Sequence, residues 1–515
     1  MDQERAPEER RGRRGRRGAG ETPVRAARRR GLRNPFTAQR AVSDDEIESL
    51  HRAALTVLEN LGLVALSPEA RAIFRAAGAL VDEDSGMVRI GREIVEAALA
   101  AAPSEFIIRA GAAAHDLDYA PGALLFGPGA GCPNATDRER GRRPGSFRDF
   151  EELTRLAASF DAIHFLAPMA EPQDIAPALR HYAMTRCQLA TSPKVAFTYS
   201  RGRAQVEDCF RMLMIGAGLD EAAFRAEPRT YTVINTNSPR QIDRSMAEGI
   251  IDHARWGQVS VITPFCLLGA MAPVTVAGAL TLQHAEALAG VTLAQLAAPG
   301  APVVYGNFAS NVDMRSGAPA FGTPEHVKAT LGAGQLARRI GLPWRASVGT
   351  STNMADAQGA AETAFALWAA VLAGANMVIH SAGWLEGGLT HSYEKLILDI
   401  EMLESIAELC APFEADEAAR GLDAIAEVAP GGHFFAAAHT MTRYRTAFHE
   451  PIVAGTANLG QWTEAGAMPA DARATSVWKA RLAAFEPDGV SEERLAALDK
   501  FITRRTEAGG APPGE

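Results

Sequence analysis

Between Ala123 and Ala382 the chain repeats one unit eight times: a short β-prone apolar run, a cluster of Gly, Asn, Pro, Ser or Thr, and an amphipathic helical stretch. The runs are ALLFG from Ala123, AIHFLAP from Ala162, KVAFTYS from Lys194, YTVINT from Tyr231, VSVITP from Val259, APVVYGN from Ala301, WRASVG from Trp344 and ANMVIHS from Ala375. Strands alternating with helices at this spacing predict parallel βαβ units, and eight of them close into a (β/α)8 TIM barrel, an α/β fold. In such a barrel the chemistry sits where the strands end, at their C-terminal edge. Those ends are rich here in Asn, His, Thr and Glu.

A length of 515 residues leaves room for flanking domains around a barrel of about 250 residues. The sequence divides into an Arg/Gly-rich tail over 1–34, an N-terminal α/β cap over 35–120, the catalytic barrel over 121–412, a C-terminal helical extension over 413–505 and a disordered tail over 506–515. Its first helix begins at Ser43, where S-D-D-E forms a capping box with Glu46. A hairpin turning at Asp84 to Gly86 and a helix over Glu93 to Ala101 follow. Within the barrel, Ser146 with Asp149, Thr323-Pro324-Glu325 and Asp356 mark helix starts, and Gly341 and Gly374 mark stops.

Composition excludes several classes. With 47% hydrophobic and 22% charged residues and a net charge of −9, the chain reads as an ordinary soluble enzyme. The basic run RRGRRGRRG (Arg10 to Gly18) stands alone in an acidic chain without a nucleic-acid-binding motif, so it reads as a solvated tail, and neither a nucleic acid nor a membrane is expected as a partner. Five scattered cysteines without a C-x-x-C pair suit a reducing compartment, and the cytoplasm is expected. The most apolar stretch, Val259 to Val276, is broken by Pro264 and Pro273.

The candidate site residues lie at the strand ends. Asn235 and Asn237 close the fourth run; Thr263 and Phe265 the fifth; Tyr305, Asn307 and Asn311 the sixth; Asn353, Asp356 and Gln358 the seventh; His380, Trp384 and Glu386 the eighth. There is no nucleophile elbow, no H-E-x-x-H, no phosphate-cradling G-x-G-x-x-G after a first strand and no zinc spacing, so neither a bound metal nor a nucleotide is expected. Such a rim binds and orients a polar or cationic molecule. Trp384, Tyr305 and Phe265 either box a cationic head or pack between strand and helix. Glu386 either balances a cation or pairs with an Arg, Asp356 either meets a ligand or caps a helix, and His380 is either functional or a satisfied core histidine. Glu386 and His380 are the candidates for a catalytic role, and the amides suit the carboxylate tail or the amide groups of a ligand.

Longer stretches carry a resemblance. GRRPGSFRDF (Gly141 to Phe150), FLAPMAEPQD (Phe165 to Asp174), TVINTNSP (Thr232 to Pro239), TPFCLLGAMAPVTVAGAL (Thr263 to Leu280), SNVDMRSGAPAFGTPE (Ser310 to Glu325), DAQGAAE (Asp356 to Glu362) and GWLEGGL (Gly383 to Leu389) closely resemble the trimethylamine methyltransferase family. The resemblance implies a (β/α)8 barrel that moves a methyl group from a methylated amine to the Co(I) of cobalamin, a corrinoid carried by a small corrinoid-binding partner protein; a homo-oligomer is the expected assembly. Archaeal members carry pyrrolysine in the barrel, whereas the corresponding region here, near Thr350 to Asn353, is spelled with ordinary residues. A quaternary ammonium leaves as a neutral amine without activation, so members lacking pyrrolysine resemble methyltransferases for quaternary, betaine-type amines. A tertiary methylamine is the second substrate class. A corrinoid-independent barrel lyase or demethylase and a non-catalytic binding protein are the alternatives.

Overall fold

The computed structural model describes residues 31–514, so most of the Arg/Gly-rich tail lies outside the described residues. Six of the eight expected runs form one parallel sheet: β1 (Leu125–Phe126), β2 (Tyr231–Ile234), β3 (Val259–Ile262), β4 (Val303–Gly306), β5 (Trp344–Ser347) and β6 (Met377–Ile379). They lie in the order β1-β6-β5-β4-β3-β2, every neighbouring pair parallel, as a half-barrel in a mixed α/β fold. The other two runs lie between the outer strands and touch by single parallel bridges, Phe165 to Val195 and Phe197 to Tyr231. The His164 N–H donates to Phe126 O at 2.8 Å beside them.

Both faces of this sheet are buried, which is why its strands read as nearly unbroken Val/Ile runs. Alternation sorts the side chains. Tyr231, Val259, Val261, Val304, Met377 and Ile379 share one apolar cluster with Leu125, Phe165, Val195 and Phe197 on the concave side. Ile234, Ile262, Val303, Tyr305 and Val378 join the larger cluster with the helices outside.

Five helices matter for the site. α1 (Asp44–Thr56) starts on the expected capping box of Ser43 and Glu46. α2 (Val276–Ala297) is apolar nearly all round, as a helix enclosed on every side must be, because it runs between the sheet and the cap helices α1 and Arg92–Ala101. α3 (Pro324–Ile340) has Thr323 as its N-cap and ends at Gly341, whose φ of 70° lies where a side chain is strained. α4 (Ala357–Leu372) is capped by Asp356, and α5 (Tyr393–Cys410) follows the eighth strand end.

The hairpin of the cap pairs Leu80–Asp82 with Met87–Arg89, as the sequence predicts. After Cys410 the chain is helical, and Ala470–Ala483 returns to α5, where Thr475 Oγ1 and Trp478 Nε1 both donate to Glu394 Oε1 at 2.8 and 2.9 Å. Residues 508–514, within the 506–515 stretch that composition marks as a disordered tail, lie instead against the body of the protein: the Ala511 and Gly514 N–H groups donate to Ala178 O and Arg201 O, and Ala511 is buried. Backbone hydrogen bonds, to which composition is blind, hold them. All five cysteines are buried and free of disulfides, and no helix among the described residues is long and apolar enough to cross a membrane.

Candidate functional site

At the carboxyl ends of β3 to β6 an aromatic cluster replaces the aliphatic core. Phe308, Phe321, Trp384 and Cys132 form it, with Phe265 packed against them. The Trp384 indole and the His380 imidazole stack at 4.1 Å with only 8° between their planes. Phe308 faces His380, Phe321 and Trp384 at 5.3, 5.2 and 5.5 Å, and Phe265 meets Phe308 edge-on at 4.8 Å.

Local backbone explains how these rings converge. His380 adopts φ 61°, a left-handed conformation uncommon outside glycine, and this departs from the alternation of β6 just where the strand ends. The indole is framed by glycines: a Cβ would come within 2.3 Å of it at Gly388, 2.7 Å at Gly349 and 3.0 Å at Gly129. Any side chain there would push the ring out of its stack. Thr350 Oγ1 donates to Trp384 O, and the buried Asp399 accepts from Gly383 N–H at 2.9 Å while pairing with Lys395 at 2.5 Å, so the eighth strand end is fastened from two sides.

Burial sets the electrostatics. It holds the His380 imidazole well below its ordinary range, and the nearby charge of Arg345 adds to the effect. His391, paired across from Trp384, is lowered to about 3 for the same reason. Burial raises the Cys132 thiol, which keeps it protonated and a poor nucleophile. The cluster therefore presents neutral rings, whose faces attract a cation, rather than a nucleophile with its base.

The structure gathers only part of the predicted set. Phe265, His380 and Trp384 come together, and Thr263 and Asn307 lie beside them. A Cβ at Gly306 would sit 2.0 Å from Thr263 Oγ1, and both that hydroxyl and Asn307 Oδ1 are buried without a hydrogen-bond partner. Tyr305 is corrected outright: its position on β4 points it away from the concave face, where its hydroxyl lies 3.0 Å from His284 Nδ1 and 3.2 Å from Gln283 Oε1 of α2. Glu386 does not stand free before the rings. It accepts from Arg142 Nε at 3.0 Å, the ion-pair alternative. Asp356 caps α4 through the Gly359 N–H, and Gln358 is spent on Glu362 at 2.7 Å. Asn237 accepts from Asp243 N–H, Asn311 accepts from Thr323 Oγ1, and Asn235 and Asn353 are exposed.

Four residues escaped the sequence reading. Phe308 and Phe321 look like ordinary core phenylalanines in one dimension. Glu286, buried on α2, accepts from Thr236 Oγ1, Ser238 Oγ and Arg240 N–H at 2.5, 2.6 and 2.7 Å and so clamps the fourth strand end. Arg345 is 1% exposed on β5, and a charge inside a strand covered on both faces was the signal that could have found it.

A parallel sheet whose distinctive side chains collect beyond the carboxyl ends of its strands is the arrangement of α/β enzymes that bind small molecules there. The chain belongs to the trimethylamine methyltransferase family, whose model matches residues 9–510, and it is a methyltransferase. It is 31% identical over 466 residues to a glycine betaine methyltransferase of Desulfitobacterium hafniense, covering 90% of this chain and 96% of that one. It is 29% identical to a trimethylamine methyltransferase of the same species, over 90% of this chain and 93% of that one. A trimethylamine methyltransferase of Methanosarcina acetivorans matches at 27% over 82% of this chain and 86% of its own length.

Proposed function

We propose that this chain takes a methyl group from a quaternary, betaine-type amine and delivers it to the Co(I) of a corrinoid carried by a small partner protein. The observation that carries this reading is the cluster of Phe265, Phe308, Phe321, His380 and Trp384: stacked neutral rings suit a trimethylammonium head, at about 2 kcal/mol for a desolvated cation–π contact. The relative named for glycine betaine supports the same class. The eight runs are read as a complete (β/α)8 barrel, with the bridged segments at Phe165 and Val195 to Phe197 as its second and third strands.

In this scheme the reduced corrinoid supplies the nucleophile. The protein holds the donor with one methyl turned outward, excludes water, and lets the nitrogen keep the bonding electron pair as a neutral tertiary amine departs. Orientation of this kind can contribute about 7–11 kcal/mol to lowering a barrier. The exposed Asn235, Asn353, Asp356 and Gln358 form the polar edge against which the partner would seat. Methyl transfer to a reduced corrinoid protein, followed by the change from the Co(I) to the methylated spectrum with a panel of methylated amines, tests the reading. Betaine-type donors should react and trimethylamine should not; comparable rates with trimethylamine would move the assignment to tertiary amines.

A further inference from the structure

Among the charged side chains of the concave face, Arg345 is unusual in what it lacks. Its register on β5 places it between Gly306 of β4 and Met377 of β6, with Val304 and Met377 in the concave-side cluster. Its guanidinium lies 5.3 Å over the Phe308 ring, at the foot of the aromatic cluster. Only one of its hydrogen bonds goes to the protein, from Nη1 to Asn307 O at 3.2 Å, while Nε is buried with no partner. No carboxylate among the described residues pairs with it, and burial lowers its pKa to about 9. A guanidinium removed from water without a counter-charge is costly, and proteins tolerate this where the counter-charge arrives with a ligand.

The unpartnered atoms beside it give the site its shape. Thr263 Oγ1 and Asn307 Oδ1 are also buried and unbonded; Thr263 abuts Gly306, which is in register with Arg345, and Asn307 follows directly. A planar fork with a hydroxyl donor next to it matches a carboxylate, which accepts two parallel N–H bonds and the hydroxyl's, whereas Asn307 Oδ1 is itself an acceptor and takes no part in holding an anion.

We infer that Arg345, with Thr263, is the subsite for the carboxylate of a zwitterionic substrate whose quaternary ammonium rests against Phe308, His380 and Trp384. This rests on the quaternary-amine reading above and narrows it: the donor is an N-trimethylated amino acid or similar betaine, and a cation without an acid group is a poor ligand. Arg345 is a specificity-determining residue, since it touches the end of the substrate that does not react.

Calorimetric titration of the full chain with three probes tests it: glycine betaine, choline as the cation without a carboxylate, and 3,3-dimethylbutanoate as the carboxylate with carbon in place of nitrogen. The wild-type protein should bind glycine betaine at least about tenfold more tightly than choline, and 3,3-dimethylbutanoate should bind and compete with glycine betaine. Arg345→Gln should weaken glycine betaine by about 30-fold and choline by less than about threefold, without lowering the melting temperature, because it removes an unpaired buried charge. Arg345→Lys should keep part of the affinity, having the charge without the fork. Equal binding of glycine betaine and choline by the wild type, or equal losses for both in Arg345→Gln, overturns the Arg345 assignment and leaves the cation site standing. Failure of the wild type to bind either quaternary ligand overturns the quaternary-amine reading itself, and this inference with it. Should Arg345→Gln not fold, the wild-type titrations decide alone, and absence of 3,3-dimethylbutanoate binding is then the refuting result.

Discussion

The fourth and eighth strand ends look alike in the sequence, as N-T-N-S-P and H-S-A-G-W-L-E-G-G, and the structure uses them in opposite ways. At the fourth, Asn235 is exposed, but the groups that follow it are answered from inside the protein: Glu286 accepts from Thr236, Ser238 and Arg240, and Asn237 accepts from Asp243 N–H. At the eighth, rings are held in a fixed stack, with Trp384 Nε1 left only the Cys132 sulfur and the buried His391 ring only the Ala382 backbone. Polar groups satisfied within the protein fix a loop's shape, whereas the ring end is held by stacking with few polar contacts.

Trp384→Ala should do most to separate the two ends. Deleting a buried indole costs about 3–5 kcal/mol, read as a lower denaturant midpoint, and removes about 1–2 kcal/mol of affinity for a quaternary ligand. The fourth end should keep its native amide exchange in that variant. Exchange rates there that rise together with those at 383–392 would show the ends to be one cooperative unit.

Acidification should act with opposite sign at the two ends. His391 titrates near 3 in the folded protein against an ordinary 6.5, so below pH 6.5 the unfolded chain takes up a proton that the folded chain does not. Stability from this group is therefore complete above pH 6.5 and falls by about 1.4 kcal/mol per pH unit as the pH drops toward 3, with His380 adding in the same direction. Glu286 is raised above 4.5 by burial, so the folded state gains its proton first as the pH falls, and the fourth end is favoured there. Amide exchange at pH 7 and pH 5 should show protection lost around 383–392 and kept around 235–242.

Glu286→Gln probes the clamp directly. It leaves the shape but replaces one acceptor oxygen by a donor facing other donors, at about 1–3 kcal/mol of stability. Affinity for a quaternary ligand should stay within about twofold, since the clamp lies outside the ring cluster. The smallest effect is expected from Glu386→Gln. Its partner Arg142 is half exposed, and such pairs contribute about 1 kcal/mol or less. Cationic and neutral ligands should be affected equally; a selective loss of the cationic one would restore Glu386 as its counter-charge.

The sequence by itself determined the local features. The period of the apolar runs specified the strands, and Ser43, Ser146, Thr323 and Asp356 specified where helices begin, because a cap is settled by a side chain and backbone groups a few residues away. It also named the strand ends as the place to look, and it placed His380 and Trp384 among the residues found there. Which rim residues face a common point was decided only by tertiary structure. Tyr305 turned outward because alternation on β4 put Val304 and Gly306 on the concave side, and Glu386 was taken up by Arg142, 244 residues away in the chain. Phe308, Phe321 and Arg345 became a site only when strands far apart in sequence were laid in register. A short run fixes a side chain's neighbours along the backbone, whereas a binding surface is made of neighbours across it.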